Sequence, residues 1–317
     1  MGEKVEHVSV LLERCVELLA PAIERVENPV VVDATLGLGG HTEALLTKYT
    51  NLTVIGIDRD LEALTKARER LSIFGNRFRS EHAIYDDILL CIENQGFTRV
   101  QGILFDLGIS SLQIDQNERG FSYSIDAPLD MRMDRSQGQT AADLVNFGTR
   151  HELISILRNF GDEKFAPRIV DALIKARAIA PLNSTLQLAE IVKNNIPAAT
   201  RRTGGNPSKR TFQALRIAVN DELGALTRAI PLALEALAVG GRVVVMSFQS
   251  LEDKIVKSYF STAVESKAPR NLPYELTQFA PKFTLVVKQS ETASAEEEAI
   301  NPRSHSVRLR AIERVAA

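Results

Sequence analysis

The stretch that decides the fold reads Val30-Val31-Val32-Asp33-Ala34-Thr35-Leu36-Gly37-Leu38-Gly39-Gly40-His41. It is a β-branched run that ends in an acid and continues into a glycine-rich loop. Residues 42–49 favour a helix, and the apolar run 52–57 ends in a second acid, Asp58. The order strand, glycine loop, helix, strand is a βαβ unit, which predicts a parallel sheet with a right-handed crossover.

The same pattern recurs further along the chain and is interrupted once. Apolar runs at 102–105, closed by Asp106, and at 242–248, introduced by Gly240-Gly241, predict two more buried strands. Between them, residues 141–196 have helical periodicity, with predicted capping boxes beginning at Thr149 and Ser184. A helical stretch inside an α/β pattern predicts an inserted domain. We place this domain at 115–212, and the main domain at 1–114 and 213–317.

The two ends of the chain complete the predicted fold. Residues 8–26 have the periodicity of an amphipathic helix, and 211–237 predict one or two long helices leading back to the sheet. The alternating runs 283–287 and 306–310 favour an antiparallel pair at the sheet edge, and the acidic segment 290–299 between them predicts an exposed loop. The predicted fold is therefore α/β, with a mostly parallel Rossmann-like sheet, an antiparallel C-terminal edge and an inserted helical domain.

The composition excludes several classes of protein. The chain has 317 residues and a net charge of −2, and its hydrophobic fraction of 44% is typical of globular proteins. No apolar run has the length of a membrane span and no secretory signal is visible, so we predict a cytoplasmic protein that binds no membrane. Cys15 and Cys91 fit no metal-ligand spacing, and we predict no metal site.

The glycine loop and Asp58 predict a ligand with a ribose. Glycines between a strand and a helix let the backbone approach a ligand, and an acid ending the next strand can accept bonds from ribose hydroxyls. The spacing is not the G-x-G-x-x-G of dinucleotide enzymes; it fits, in looser form, the D/E-x-G-x-G-type loop of class I methyltransferases. A ligand-free tight turn and a solvated acid remain alternatives.

Two further segments carry candidate site residues. Residues 105–113 leave the carboxyl end of a strand, where open α/β sheets bind ligands, and bring an acid and hydroxyls there. Residues 81–87 offer acids and the aromatic Tyr85, although a surface turn explains them equally well.

Positive charge is concentrated in one stretch. Residues 191–220 contain six Lys or Arg and no acid, with a flexible Thr203-Gly204-Gly205-Asn206-Pro207 in the middle. A mobile basic loop suits a phosphate backbone, while a solvated charged face is the alternative. The candidate RNA-binding residues are Arg201, Arg202, Lys209 and Arg210.

Taken together, the motifs resemble the bacterial ribosomal RNA small subunit methyltransferase H family. The resemblance runs from His7 to Asn301-Pro302-Arg303. Its motifs are Gly39-Gly40-His41-Thr42, Gly56-Ile57-Asp58-Arg59-Asp60, Asp106-Leu107-Gly108-Ile109-Ser110-Ser111 with Gln113, Arg119-Gly120-Phe121-Ser122-Tyr123, Pro128-Leu129-Asp130-Met131-Arg132-Met133, Arg210-Thr211-Phe212-Gln213-Ala214-Leu215-Arg216-Ile217 and Ser250-Leu251-Glu252-Asp253.

The resemblance implies an activity, a cofactor and a partner. The activity is methylation of the exocyclic N4 amine of a cytidine in the decoding region of 16S rRNA, within the small ribosomal subunit. The cofactor is S-adenosylmethionine, with implied contacts at Gly39, Gly40, His41, Asp58, Tyr85, Asp106 and Gln113. A homodimer is left open.

This chain departs from the family pattern at three positions. Tyr85 stands where Phe is common, and Asn206 and Gln249 stand where the family usually has His. Asn and Gln form hydrogen bonds but do not titrate near neutral pH. No mechanism for this chain can use an imidazole at either place.

For the chemistry, Asp106 is the leading candidate to accept a hydrogen bond from the amine, with Ser110 or Asp130 assisting. Phe121, Tyr123 and residues 131–133 either sandwich the target base or anchor the inserted domain. Three other functions stay open from the residues alone: a dinucleotide-dependent oxidoreductase, a non-catalytic RNA-binding factor, and a methyltransferase acting on a protein or DNA amine.

Overall fold

The computed structural model describes residues 9–197, 206–266, 268 and 279–317. The chain divides into two compact units, Met1–Gly108 with Leu223–Ala317, and Ile109–Glu222. The predicted insertion at 115–212 lies within the second range. Among the described residues, no helix combines the length and the apolar character that crossing a bilayer requires.

The first unit is built on one seven-stranded sheet in the order β3-β2-β1-β4-β5-β7-β6. The strands are β1 (Val30–Asp33), β2 (Thr53–Asp58), β3 (Phe78–His82), β4 (Val100–Asp106), β5 (Leu237–Ser247), β6 (Phe283–Leu285) and β7 (Arg308–Arg314). Strands β1 to β5 are parallel, whereas β7 runs antiparallel to both β5 and β6. The predicted fold class, a mostly parallel α/β sheet with an antiparallel C-terminal edge, is confirmed.

Helices cover both faces of this sheet, because its central strands are apolar on both sides. The helices of the first unit are α1 (Leu12–Glu24), α2 (Gly40–Lys48), α3 (Leu61–Leu71), α4 (Ile88–Asn94), α11 (Glu222–Ala236, which starts at the boundary), α12 (Ser250–Ala263) and α13 (Ala295–Ile300). Within β1, Val30 and Val32 belong to one buried cluster and Val31 to the other. Alternate side chains of a strand face opposite sides, so this run of valines requires two covered faces.

The second unit is helical. Its helices are α5 (Ser111–Asp115), α6 (Ala141–Phe147), α7 (Arg150–Gly161), α8 (Ala166–Arg177), α9 (Thr185–Asn195) and α10 (Lys209–Asn220). The predicted capping boxes are present: Thr149 accepts a hydrogen bond from the Glu152 N–H, and Ser184 does the same at Gln187. The unit has its own apolar core, which includes Leu144, Leu157, Ile169, Leu188 and Leu215.

Two elements differ from the sequence-based expectation. Strand β3 was not predicted, because Phe78-Arg79-Ser80-Glu81-His82 is largely polar and its side chains are only half-buried at the sheet edge. The expected loop 290–299 instead contains the start of α13. Ser294 accepts a hydrogen bond from the Glu297 N–H, and three glutamates occupy the first turn, where the helix dipole favours acids.

The order of the strands places the candidate site. In the sheet, β1 lies between β2 and β4. The chain passes from β1 to β2 and β3 on one side, and only then crosses to β4 on the other side of β1. The carboxyl ends of β1, β2 and β4 therefore meet where the strand order reverses, the position at which open α/β sheets bind ligands. These three strands end in Asp33, Asp58 and Asp106.

Candidate active site

The glycine loop is held in a left-handed path between β1 and α2. Gly37 has φ 52° and Gly39 has φ 79°, a backbone conformation that side chains disfavour. The Gly37 N–H donates to Asp58 Oδ2 at 2.7 Å, and the Leu36 N–H donates to the Ile57 carbonyl at 3.0 Å. The loop is therefore attached to the end of β2.

Packing within the chain also requires the next two glycines. A Cβ on Gly39 would lie 2.8 Å from Leu71 Cδ1, and one on Gly40 would lie 2.2 Å from Ser9 Oγ. The tight-turn interpretation therefore accounts for part of the glycine pattern. The ligand interpretation depends on the acids around the loop.

Asp58 joins the loop to the start of α3. Its Oδ2 accepts the Gly37 N–H and its Oδ1 accepts the Asp60 N–H at 2.8 Å. A carboxylate oxygen has two lone pairs, so both oxygens can still accept a hydroxyl, as the ribose prediction requires. Burial raises the pKa of Asp58 to about 6.

Asp106, the last residue of β4, is attached to the glycine loop through its backbone. Its N–H donates to Thr35 Oγ1 at 2.6 Å. Burial, together with the nearby charges of Asp33 and Glu252, raises the pKa of the Asp106 carboxyl to about 7. The side chain keeps 28% of its exposure, so a bound molecule can reach the carboxyl.

Asp33 is a member of this group to which sequence reasoning gave no role. It is 1% exposed and accepts a hydrogen bond from Thr42 Oγ1 at 2.7 Å. Burial is the main reason that its pKa rises to about 6. The available signal was an acid ending a fully apolar strand, the same signal that identified Asp58 and Asp106.

His41 lies beneath this acid group and is neutral. Its Nε2 lies 3.1 Å from the Val10 carbonyl, which selects the tautomer that donates from Nε2. Burial lowers the pKa of His41 to about 4. Its Nδ1 is 3.8 Å from Asp106 Oδ2, too far for a hydrogen bond.

Tyr85 lies on the same side of the first unit, in a single turn that follows β3. Its ring packs edge-on against Phe105, with centroids 5.7 Å apart and planes at 82°. The neighbouring Asp86 forms an ion pair with Arg228 at 2.8 Å. The predicted acidic character of this turn is therefore partly neutralised, and the aromatic ring is its feature suited to a base.

The other predicted site residues belong to the second unit. Ser110 caps α5: its Oγ accepts the Gln113 N–H at 3.3 Å, and Gln113 Oε1 accepts the Ser110 N–H at 3.1 Å. Asp130 accepts two hydrogen bonds from the Arg132 guanidinium, at 2.8 and 3.0 Å. Although burial opposes ionisation, bonding to Arg132 leaves the pKa of Asp130 below its usual value.

Two of the four predicted RNA-binding residues lie in the described part of the chain. Lys209 and Arg210 are exposed in the first turn of α10, whereas Arg201 and Arg202 lie outside the described residues.

The residues proposed to sandwich a base are packed inside the second unit. Met131 is fully buried and Met133 nearly so. Tyr123 packs edge-on against Phe212 at 5.8 Å, and Phe121 contacts the same core. Asn220 holds the loop by donating to the Met131 carbonyl and accepting the Met133 N–H, both at 2.7 Å. These contacts give the residues a packing role within the second unit.

With this geometry established, comparison with known proteins identifies the family. The model of the MraW methylase family matches residues 4–315. The chain belongs to the MraW methylase family.

Similar curated proteins agree with this assignment. A Renibacterium salmoninarum protein named Ribosomal RNA small subunit methyltransferase H is 55% identical over 98% of this chain and 95% of its own length. Proteins of the same name from Pseudarthrobacter chlorophenolicus and Mycobacteroides abscessus are 52% and 54% identical, over 98% of this chain and 96% and 83% of theirs. The predictions of a methyltransferase and of S-adenosylmethionine as cofactor are confirmed, and the oxidoreductase alternative is wrong.

The acid group fits the cofactor of an MraW methylase. Asp33, Asp58 and Asp106 all have raised pKa values, chiefly because each carboxyl is buried, and the charges of neighbouring acids add to the rise. S-adenosylmethionine carries a sulfonium and an ammonium group. A cationic ligand at this edge of the sheet would stabilise the ionised carboxylates, and the Asp58 oxygens keep lone pairs for further hydrogen bonds.

The two positions where this MraW methylase lacks the usual histidine have local structural roles. Gln249 precedes α12 and donates from its side chain to Glu252 Oε1 at 2.9 Å. Asn206 Oδ1 accepts the Ser208 N–H just before α10. Among the residues that the structure describes, no group of His, Cys, Asp and Glu side chains is arranged to hold a metal ion.

Proposed function

We propose that this enzyme methylates RNA of the small ribosomal subunit, at the exocyclic N4 amine of a cytidine in the decoding region of 16S rRNA. The names of its relatives support the ribosomal RNA substrate. The motifs shared with the family in sequence support the amine and its position. The structural observation that carries the proposal is Asp106, an accessible acid with a raised pKa at the end of β4.

Asp106 addresses the main difficulty of the reaction. The lone pair of a cytosine amine is delocalised into the ring, so the nitrogen is a poor nucleophile in its planar form. A carboxylate that accepts an N–H hydrogen bond favours the pyramidal nitrogen and stabilises the positive charge that develops during transfer. We assign this catalytic role to the Asp106 carboxylate, which must be ionised to perform it.

The rest of the acid group determines how Asp106 performs this role. Asp33 and Glu252 oppose its ionisation, while the Thr35 hydroxyl fixes its backbone at 2.6 Å. A fixed acceptor needs no reorganisation when the amine becomes cationic. The position of Asp106 and its raised pKa both suit a hydrogen-bond acceptor whose ionised form is stabilised by a neighbouring positive charge.

Ser110 and Asp130 are weaker candidates for the same task. The Asp130 carboxylate already binds Arg132 through both oxygens. The Ser110 oxygen accepts the Gln113 N–H, although its own proton can still be donated. We therefore rank Asp106 first, Ser110 second and Asp130 last.

Cofactor binding is assigned to residues around the glycine loop. S-adenosylmethionine supplies a methyl group on a good leaving group, so the protein chiefly has to position the reactants. We propose that Asp58 accepts bonds from the ribose hydroxyls and Tyr85 offers its ring to the adenine. Gly39, Gly40, His41 and Gln113 complete the proposed set.

RNA binding is assigned to the second unit. Lys209 and Arg210, with Arg201 and Arg202, would neutralise phosphates near the target. The second unit is then the part of the enzyme that recognises its substrate.

The experiment that tests the function is methyl transfer followed by nucleoside analysis. The purified enzyme is incubated with labelled S-adenosylmethionine and small subunits from cells lacking this activity, and the RNA is digested for mass spectrometry. We expect one N4-methylated cytidine per subunit with the wild type and almost none with Asp106→Asn. Label in protein or DNA, or on a different base, would contradict the proposal.

A further inference from the structure

A groove of about 460 Å³ in the second unit lies outside the proposed set of RNA-binding residues. It runs beside α7 and is lined by Arg150, His151, Ile154, Arg158 and Pro167. None of these five side chains is acidic. One acid reaches the groove from α8, because Asp171 binds the Arg150 guanidinium at 2.7 and 3.1 Å.

The basic residues of the groove follow one face of α7. His151, Ile154 and Arg158 are spaced by three and four residues, which places them above one another on a helix. Asp162 follows the end of α7 in a left-handed conformation, and its carbonyl accepts a hydrogen bond from Arg210 Nη1 at 3.2 Å. The line of basic side chains therefore extends to the start of α10, where Lys209 and Arg210 are already proposed to bind RNA.

The dimensions suit a nucleic-acid strand. Helix α7 has 12 residues and, at about 1.5 Å per residue, is about 18 Å long. Phosphates of one strand of a duplex are spaced about 3.4 Å along the helix axis, and consecutive phosphates are further apart than this because the backbone winds around the axis. A line of this length can therefore contact several consecutive phosphates.

The basic groups at the centre of the line are available to a partner. Within the described part of the chain, Arg158 and His151 are exposed and form no ion pair. Only Arg150, at the end of the line, is paired with an acid of the same unit. Arg158 therefore offers a positive charge that no acid among the described residues pairs with, in a groove whose lining contains no acid.

An exposed aromatic residue stands just before α7 in the chain. Phe147 is the last residue of α6, three residues before Arg150, and 80% of it is exposed. Aromatic rings next to basic side chains are the arrangement on which proteins stack unpaired bases. A duplex offers no such base, so Phe147 favours a single-stranded or loop segment.

We propose that the α7 strip, defined as Phe147, Arg150, His151, Arg158 and Arg210, docks an unpaired segment of the RNA substrate. Phosphates lie along the basic side chains and one base stacks on Phe147. This inference rests on the proposed function. It adds a second RNA contact region, which would let the enzyme select its target by the shape of the surrounding RNA as well as by the target base.

The test uses three variants of the full chain and a short fluorescein-labelled single-stranded RNA. Arg158→Glu removes a phosphate contact and should weaken RNA binding about tenfold, with the slope of log K against log salt smaller by about one. Phe147→Ala removes stacking and should also weaken binding about tenfold, but leave the salt slope unchanged. Lys66→Glu, at an exposed site on α3, is the matched charge control and should change binding less than twofold.

S-adenosylmethionine affinity, measured by calorimetry, should be the same in all four proteins, which shows that each variant is folded. RNA binding within twofold of wild type for both Arg158→Glu and Phe147→Ala would overturn the proposed role of the α7 strip. So would an equal loss for Lys66→Glu, since net charge would then explain the effect.

Methylation of small subunits separates this inference from the proposed function. If the wild type methylates the subunit while both strip variants keep its KM, the strip is wrong and the function stands. If the wild type transfers no methyl group to subunit RNA, the function itself fails. Support requires a higher KM with nearly unchanged kcat for both variants.

Discussion

The acids at the carboxyl edge of the sheet and two acids of the helical unit have opposite pKa shifts. At the carboxyl edge of the sheet, Asp33, Asp58 and Asp106 have raised pKa values because they are buried near other acids. In the helical unit, the pKa of Asp130 is lowered by Arg132 and that of Asp171 by Arg150. The three acids at the sheet edge owe their raised pKa chiefly to burial, whereas Asp130 and Asp171 each bind an arginine.

This difference distinguishes acids that are available to bind a ligand from acids that stabilise the fold. An acid paired within the chain already has its partner and contributes to stability. A buried acid without a partner lowers the stability of the fold, and a positive ligand stabilises its ionised form. The comparison predicts that removing an acid from the sheet edge lowers activity and raises stability, whereas removing a paired acid from the helical unit lowers stability.

The sharpest test is Asp106→Asn, for which we expect the largest effect. Loss of the charged acceptor should lower kcat by at least about 100-fold, the usual result of removing one oriented group that stabilises transition-state charge. Single-turnover methyl transfer to small subunits measures it. Normal turnover combined with weaker cofactor binding would limit Asp106 to cofactor binding.

The stability of the same variant should change in the opposite direction. The raised pKa means that the stabilising contribution of Asp106 is full when it is protonated and is lost as pH rises through about 7. Without cofactor, the free energy of unfolding of Asp106→Asn should therefore exceed that of the wild type by about 4 kcal/mol at pH 8, with little difference at pH 4. Urea denaturation at both pH values checks the sign.

Cofactor affinity should depend on pH. Asp58 and Asp106, with pKa values of about 6 and 7, carry protons at pH 5.5 that a cationic ligand must displace. We expect S-adenosylmethionine to bind at least about tenfold more tightly at pH 8 than at pH 5.5. Calorimetry in two buffers counts the protons released, and Asp106→Asn should release fewer. An affinity that does not change with pH would remove the distinction between the two regions.

A smaller effect is expected on the other side of the comparison. Asp130→Asn leaves the Arg132 guanidinium without its charged acceptor and should destabilise the protein by about 2 kcal/mol at pH 7. The lowered pKa of Asp130 means that this contribution is present above the unfolded value and is lost as pH falls through the folded one. The difference from wild type, followed by urea denaturation, should therefore shrink in strong acid.

The smallest effect is expected for Asp171→Asn. Asp171 and Arg150 are both about half exposed, and exposed ion pairs contribute little to stability because water and salt screen them. The melting temperature should stay within experimental error of wild type, with Asp130→Asn as the positive control. A clear loss would mean that the pair anchors α7 to α8.

The sequence predicted the central strands and the antiparallel edge of the sheet, but not its other edge strand, β3. Apolar runs that end in acids identified β1, β2 and β4, because a strand buried on both faces must be continuously apolar. Strand β3 carries Arg79, Ser80 and Glu81 and gave no such signal. The six residues of α13 depend on a local cap and lie below the length at which periodicity can be recognised.

For the site, sequence reasoning located the acids but not their surroundings. Parallel strands bring their carboxyl ends to one edge, so Asp58 and Asp106 could be grouped in advance. The influence of Glu252 on Asp106 comes from packing between segments far apart in the chain. Arg132 stands only two residues from Asp130, and its bond to that carboxylate is the local contact that the sequence-based assignment of Asp130 did not foresee.

The end of β4 has a consequence for dynamics. The Asp106 amide hydrogen is held by Thr35 Oγ1 of the glycine loop, whereas the next amide, that of Leu107, donates to the Met246 carbonyl of β5. Deuterium exchange at these neighbouring amides therefore reports two separate opening events, of the loop and of the sheet. One peptide of this enzyme can thus show whether the loop opens while the sheet stays closed.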